Sequence, residues 1–131
     1  MKEIEVVAAI IIKDNRILCT QRSKHKYSYI SEKFEFPGGK IEEGETPQEA
    51  LKREIKEELD TEISVGDLID TIEYDYPTFH LSMDCFWSEI IHGDLVLKEH
   101  DAAKWLLKNE LNSVEWLPAD ISLTHSIERK M

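Results

Sequence analysis

The sequence is poor in several residue types, and each shortage excludes a class of protein. Cysteine occurs only at Cys19 and Cys85, in apolar runs with neither a CxxC pair nor the histidine spacing of a zinc site. We expect both to be buried free thiols. The apolar run from Val6 to Ile12 is too short to cross a membrane and lacks the pattern of a signal peptide. The expected location is therefore the cytoplasm.

Basic residues are also scarce, since 16 Lys and Arg stand against 27 Asp and Glu for a formal net charge of −11. This balance argues against duplex nucleic acid or an anionic membrane as a partner. A small nucleotide that carries its own divalent cation remains compatible. The length suits one core, so residues 1–131 are expected to form a single domain, as a monomer or a homodimer.

The acidic residues are most informative in one predicted helix. Thr46, Pro47 and Glu49 have the pattern of a capping box, and the helix is expected to run to about Leu59. Along it, three glutamates share one arc of about 100° beside the apolar face: Glu54, Glu57 and Glu58. The helical lysines already occupy the outward face.

Like charges at such spacing destabilise a helix, and partial burial increases the repulsion. Either one of the carboxylates holds a proton or a cation sits among them. Oxygen ligands favour a hard ion such as Mg²⁺ or Mn²⁺. The alternative is an ordinary solvated acidic face.

The residues before the helix favour the cation. Gly38 and Gly39 end an apolar triplet in a predicted turn, and paired glycines let the backbone approach a metal or phosphate closely. An ordinary turn is the alternative. Glu45 and Arg53 are eight residues apart and are expected to pair, which would hold the loop over the carboxylates.

Together these residues resemble the Nudix box, G-x5-E-x7-R-E-U-x-E-E-x-G-U with U an aliphatic residue. The match holds at every spacing through Glu58 and comprises Gly39, Glu45, Arg53, Glu54, Glu57 and Glu58. Two positions depart from it, Asp60 in place of the glycine and Thr61 in place of the aliphatic residue. Asp tolerates a left-handed helix end, although less well than glycine.

The stretch FEFPGGKIEEGETP is similar to the MutT-type branch of this family, and the whole chain resembles its CTP pyrophosphohydrolases. The resemblance implies an α/β/α sandwich with a mixed sheet. It implies hydrolysis of a nucleoside triphosphate to the monophosphate and pyrophosphate. The implied cofactor is Mg²⁺, with Mn²⁺ as an alternative. The implied metal ligands are Gly38, Glu54, Glu57, Glu58 and Glu99, with Glu54 as first and Glu99 as second candidate for the base.

The resemblance also implies a nucleotide pocket. Arg22 matches an arginine that contacts the nucleotide, or is a surface residue. Asp120, in LPAD, matches the base-binding position, where a carboxylate would suit an amino-bearing base such as cytosine or an oxidised purine; helix capping would explain it equally well. Phe34 is a candidate for base stacking or for the core. Phe79, with Tyr76, is a candidate for lining the base pocket or for hairpin packing.

The remaining pattern predicts the sheet. Strands are expected at residues 5–12, 16–21, 62–76 and 80–91, with shorter ones at 34–36, 95–97 and 103–107. A short helix is expected at 108–114 and a final one from Pro118 to about Arg129.

Three other functions stay open at this point. The same box can hydrolyse nucleotide sugars and dinucleotides such as ADP-ribose. A non-catalytic nucleotide-binding module is less favoured, because this chain keeps every carboxylate of the box. A structural domain with an acidic surface would show no effect of divalent ions on its melting.

Overall fold

A computed structural model describes residues 2–131 and builds them around a mixed seven-stranded sheet with helices on its two faces. The elements in chain order are β1 (Lys2–Lys13), β2 (Arg16–Gln21), β3 (Phe34–Glu35), β4 (Gly38–Lys40), α1 (Pro47–Leu59), β5 (Glu62–Tyr76), β6 (Phe79–His92), β7 (Ala102–Leu107), a 3₁₀ helix (Lys108–Ser113) and α2 (Pro118–Lys130). None of the helices among these residues is long and apolar enough to cross a membrane.

The first strand organises the sheet. The strand order is β3-β2-β1-β6-β5, with β4 paired to β1 and β7 paired to β2. The β1–β6 pairing is parallel, and the other pairings between the strands named above are antiparallel. From Val6 to Ile12, strand β1 is an unbroken apolar run, and its residues 7–11 are buried, as a strand covered on both faces requires.

Burial on both faces divides the core in two. Val7, Ala9 and Ile11 of β1 pack with the apolar face of α1, which consists of Ala50, Leu51, Ile55 and Leu59. The alternate residues Ala8 and Ile10 pack on the other side, with α2. The wheel position predicted for the apolar face of α1 is confirmed, and so is the burial of Cys19 and Cys85 as free thiols.

Both ends of α1 follow from local chemistry. The Thr46 hydroxyl accepts from the Glu49 N–H at 3.1 Å, and the Glu49 carboxylate accepts from the Thr46 N–H at 2.8 Å, so the predicted capping box is confirmed. The helix ends at Asp60, which adopts a left-handed conformation with φ of 52°. Thr61 is buried at the position where the box has an aliphatic residue. Its hydroxyl donates to the Leu59 carbonyl at 2.9 Å, so this buried polar group has a hydrogen-bond partner.

Two expectations about local structure are wrong. The Gly38–Gly39 segment is not a turn but strand β4, paired to β1. Residues 95–97 form no strand, because the N–H groups of Val96 and Lys98 donate to the last carbonyls of α1 rather than to a ladder. The short helix expected after β7 is present, as a 3₁₀ helix at Lys108–Ser113.

Candidate active site

The glycine pair brings the backbone of β4 against two neighbours. A Cβ on Gly38 would lie 1.9 Å from the Val7 carbonyl oxygen of β1. A Cβ on Gly39 would lie 2.4 Å from the carboxyl carbon of Glu54. Gly38 therefore allows the strand pairing, and Gly39 gives the Glu54 carboxylate a place beside the backbone.

Arg53 ties the loop before α1 to the helix. Its Nε and Nη2 donate to the two carboxylate oxygens of Glu45 at 2.7 and 2.9 Å, and Nη2 also donates to the Lys40 carbonyl at 3.0 Å. Its Nη1 reaches Glu54 at 3.0 Å and Glu57 at 3.2 Å. The expected pairing of Glu45 with Arg53 is present in the structure, and such two-pronged contacts hold their partners in a defined geometry.

Glu58 is the most unusual carboxyl group of α1. It is 8% exposed, and its Oε2 has no hydrogen-bond partner among residues 2–131. Burial, with the nearby charges of Glu35, Glu54 and Glu99, raises the pKa of Glu58 to about 9. A hydrogen bond from the Gly38 N–H acts in the opposite direction and lowers this pKa. At neutral pH and without a cation, this group holds a proton.

The other acidic candidates are more accessible. Burial raises the pKa of Glu54 above its usual value, while Arg53 opposes that shift and Glu57 and Glu99 add to it. Glu57 is 59% exposed on α1. Glu99 is exposed on the loop before β7 and lies close enough to Glu54 and Glu58 to raise the pKa of both.

The acidic groups of this cluster have the hard oxygen donors that a divalent cation prefers. Within residues 2–131, no three acidic, imidazole or thiol side chains already converge on one point as metal ligands. The reason is visible for two of them, since Glu54 and Glu57 are turned towards Arg53. The unpaired buried oxygen of Glu58 and the hard oxygen donors around it are what such a cation requires.

A cavity of about 330 Å³ joins this carboxylate cluster to the start of α2. Its wall includes Gly38, Gly39 and Glu58 from the cluster, and Asp120 and Ala119 from α2. Apolar side chains complete the wall, among them Ile4, Val6, Phe36, Phe79, Leu81 and Met83. A mostly apolar cavity with a few convergent polar groups is typical of a small-molecule site.

Asp120 lies in the wall of this cavity as a buried group. It is 4% exposed, and its Oδ1 has no hydrogen-bond partner among the described residues. Burial, together with Glu35, raises the pKa of Asp120 well above its usual range, although the Phe36 N–H and Arg22 oppose the shift. Asp120 is not the cap of α2, because Leu117 occupies that position.

The two phenylalanine candidates are in different places. Phe79 lines the cavity and stacks on Tyr76 with ring centroids 4.9 Å apart, and the Tyr76 hydroxyl accepts from the Ala119 N–H at 3.2 Å. Phe34 lies apart from the cavity, buried edge-on against Trp116. Its neighbour Phe36 lines the cavity instead.

Arg22 lines the cavity beside Glu35, which in turn contacts His100, and sequence reasoning singled out neither Glu35 nor His100. Its Nη1 donates to Glu35 Oε1 at 3.3 Å, and the other Glu35 oxygen lies 2.8 Å from Nε2 of His100. A carboxylate placed between two apolar residues that follow a strand pattern was the one available signal for Glu35. The position of His100 next to Glu99 gave no such signal.

A family model described as the NUDIX domain matches residues 2–129. This chain is a Nudix hydrolase. The expected fold and membership of the MutT-like branch are confirmed.

Known relatives of this Nudix hydrolase are similar along nearly its whole length. It is 37% identical over 123 residues to the CTP pyrophosphohydrolase of Escherichia coli strain K12, covering 94% of this chain and 90% of the relative. It is 32% identical over 130 residues to the 8-oxo-dGTP diphosphatase of the same strain, covering 98% and 99%. The solution structure of the E. coli ORF135 protein matches with a TM-score of 0.84 at 34% identity, covering 98% of this chain and 91% of that one.

Proposed function

We propose that this protein hydrolyses nucleoside triphosphates to the monophosphate and pyrophosphate in the presence of Mg²⁺, with Mn²⁺ as a substitute, and that residues 1–131 act as one domain. The observation that carries the proposal is that Glu58 and Asp120 line the same cavity. A nucleotide has its charged phosphates and its base at opposite ends. One cavity with a carboxylate cluster on one side and a base-reading group on the other suits that shape.

The metal-binding role belongs to the Gly38 carbonyl and to Glu54, Glu57, Glu58 and Glu99. Nudix enzymes generally depend on a divalent ion. Such an ion would neutralise the phosphates and favour ionisation of a water molecule. The part of Arg53 is to hold Glu54 and Glu57 near their working positions, and Glu45 in turn fixes Arg53.

Glu54 is the preferred base, and Glu99 the second candidate. A base that takes a proton from water works best when its pKa is close to the working pH, and partial burial raises the pKa of Glu54 in that direction. Glu99 is exposed on a loop, so its position can adjust when substrate enters.

Asp120 favours a nucleobase that has one hydrogen-bond donor and one acceptor side by side on its edge. A protonated carboxyl group both donates and accepts, as an amide does. Cytosine offers the N4 amine and the N3 acceptor, and an oxidised guanine offers a carbonyl beside a ring N–H. We therefore propose cytosine nucleotides or oxidised purine nucleotides as substrates. Arg22, Phe36 and Phe79 would form the rest of the nucleotide pocket.

The test is a panel of canonical, methylated and oxidised nucleoside triphosphates plus ADP-ribose, incubated with the purified protein and Mg²⁺. Release of pyrophosphate with a nucleoside monophosphate supports the proposal. Hydrolysis of ADP-ribose alone would keep the metal site and contradict the triphosphate substrate.

Site variants make the assay specific. Glu54→Gln, Glu57→Gln and Glu58→Gln are each expected to reduce turnover by at least about a hundredfold, the range of effects seen for catalytic proton transfer. Glu128→Gln on the exposed side of α2 is the matched control and should retain activity. Full turnover by Glu57→Gln would contradict the assigned ligand set.

A further inference from the structure

His100 and Glu35 form a contact that the proposed reaction does not yet use. Nε2 of His100 lies 2.8 Å from Glu35 Oε2, and the His100 side chain is only 4% exposed. Its other ring nitrogen, Nδ1, is buried without a partner among residues 2–131. The contact with Glu35 is therefore the polar interaction that orients this ring.

The backbone around His100 is fixed to the end of β2. The Asp101 N–H donates to the Gln21 carbonyl at 3.0 Å, and the Ser23 hydroxyl donates to Asp101 Oδ1 at 2.8 Å. Glu35 is held from its second oxygen by Arg22 at 3.3 Å. The carboxylate is thus fixed from two sides, by side chains that reach it from different segments.

Glu35 lies where two cavities meet. It lines the main cavity together with Asp120, and it also lines a second, polar cavity of about 260 Å³ together with Lys24, Glu58 and Glu99. Its charge contributes to the raised pKa of Asp120 and of Glu58, so it lies close to both groups. Glu35 is therefore located between the base-reading group and the carboxylate cluster.

The free acceptor sites of the Glu35 carboxylate determine which part of a nucleotide it can bind. A carboxylate offers about four acceptor sites, and His100 and Arg22 occupy two of them. The remaining sites attract a hydrogen-bond donor and repel a phosphate. In a nucleotide, the group between base and phosphates is the sugar, and its donors are hydroxyl groups.

We propose that His100 is a positioning residue that fixes Glu35 as the hydrogen-bond acceptor for a hydroxyl of the nucleotide's sugar. The inference rests on the proposed function, because that function places the base beside Asp120 and the phosphates beside Glu58. It adds sugar recognition to the site and assigns it to a pair of residues outside the box.

The experiment compares the ribo, 2′-deoxy and 2′,3′-dideoxy triphosphates of the base that the protein hydrolyses fastest. For His100→Leu, we expect kcat/KM to fall about tenfold, mainly through a higher KM, for every substrate whose sugar carries the recognised hydroxyl. A tenfold loss corresponds to the contribution of one hydrogen bond to a charged acceptor. With the dideoxy substrate the fall should be less than twofold. His100→Gln keeps an N–H donor at a similar reach and should restore the hydroxyl-dependent rate.

Glu35→Ala is the second variant and should show the same dependence on the sugar, even if His100→Leu does not fold. Equal losses with all three sugars, or no loss with any of them, would overturn the proposal. Wild-type protein that hydrolyses no triphosphate would contradict the proposed function itself, which separates the two failures. Comparison of the ribo and deoxy forms also identifies the 2′ or the 3′ hydroxyl as the group that is recognised.

Discussion

The carboxyl group of Glu54 lies directly beside Gly39, so close that a Cβ on Gly39 would be 2.4 Å from its carboxyl carbon. The glycine of β4 and the glutamate of α1 are therefore fitted to each other across 15 positions of sequence. One methyl group at residue 39 must displace the carboxylate proposed as the base.

Gly39→Ala is expected to reduce activity strongly without unfolding the protein. The atoms that the new methyl group meets belong to the end of a flexible side chain, which can rotate away. We expect pyrophosphate release to fall at least about tenfold, since misplacing a catalytic group by an ångström can cost up to about a hundredfold. The melting temperature should change little.

Gly38→Ala is the matched comparison and should reduce the stability of the protein, whereas Gly39→Ala should reduce its activity. Its methyl group would meet the backbone of β1, which cannot rotate away. We expect a loss of at least about 2 kcal/mol in the free energy of unfolding. Urea titrations of both variants check the contrast, and equal loss of stability in the two would contradict it.

The buried carboxyl of Glu58 should make the metal-free protein less stable as pH rises. The native pKa of about 9 lies above the usual 4.5, so between these values the native protein holds a proton that the unfolded chain releases. Stability from this group is complete below pH 4.5 and is lost as pH rises towards 9, by up to about 1.4 kcal/mol per pH unit.

Glu58→Gln removes that titration. Between pH 6 and pH 8, without divalent ions, the wild type is expected to lose about 2 kcal/mol more of its free energy of unfolding than the variant loses. Chemical denaturation at the two pH values measures this difference. Parallel pH dependence of wild type and variant would show that Glu58 is ionised in the native protein.

Arg53→Lys should lower turnover although it keeps the positive charge. Lysine cannot contact both oxygens of Glu45 as well as Glu54 and Glu57, because it lacks the planar fork of the guanidinium group. We expect kcat to fall about tenfold, in line with lost positioning. In a double-mutant cycle with Glu45→Gln, the two losses should be less than additive; full additivity would mean that the contact is not functional.

Asp60→Gly should stabilise the protein. Asp60 has φ of 52°, a conformation that glycine adopts without the steric cost of a side chain. The ion pair that would be lost, with Lys56 at 3.4 Å, is exposed and contributes little. We expect a gain of about 0.5–1 kcal/mol with activity unchanged. Asp60→Ala, measured in the same urea series, should instead lose stability.

The sequence was sufficient where the site depends on spacing within one segment. Glu54, Glu57 and Glu58 are neighbours on one helix, and Arg53 reaches back to Glu45 just before the start of the same helix, so local spacing alone relates them. The fold followed from similar local signals, such as the doubly buried run of β1.

Spacing was insufficient where the site depends on distant segments. His100 meets Glu35 across 65 positions, through a loop that has no periodicity. The alternation of Phe34 and Phe36 likewise could not say which ring would line the cavity, because that depends on how Trp116 packs. Such contacts are set by the register of the whole sheet.

The alternating burial of β1 in two cores affects how the protein unfolds. Val7 and Ala9 belong to one core and Ala8 and Ile10 to the other, so neither core can come apart without releasing the same strand. Separate unfolding of one half is therefore unfavourable. The amide protons of β1 and of its parallel partner β6 should exchange with solvent only through global unfolding, and be the slowest in the molecule.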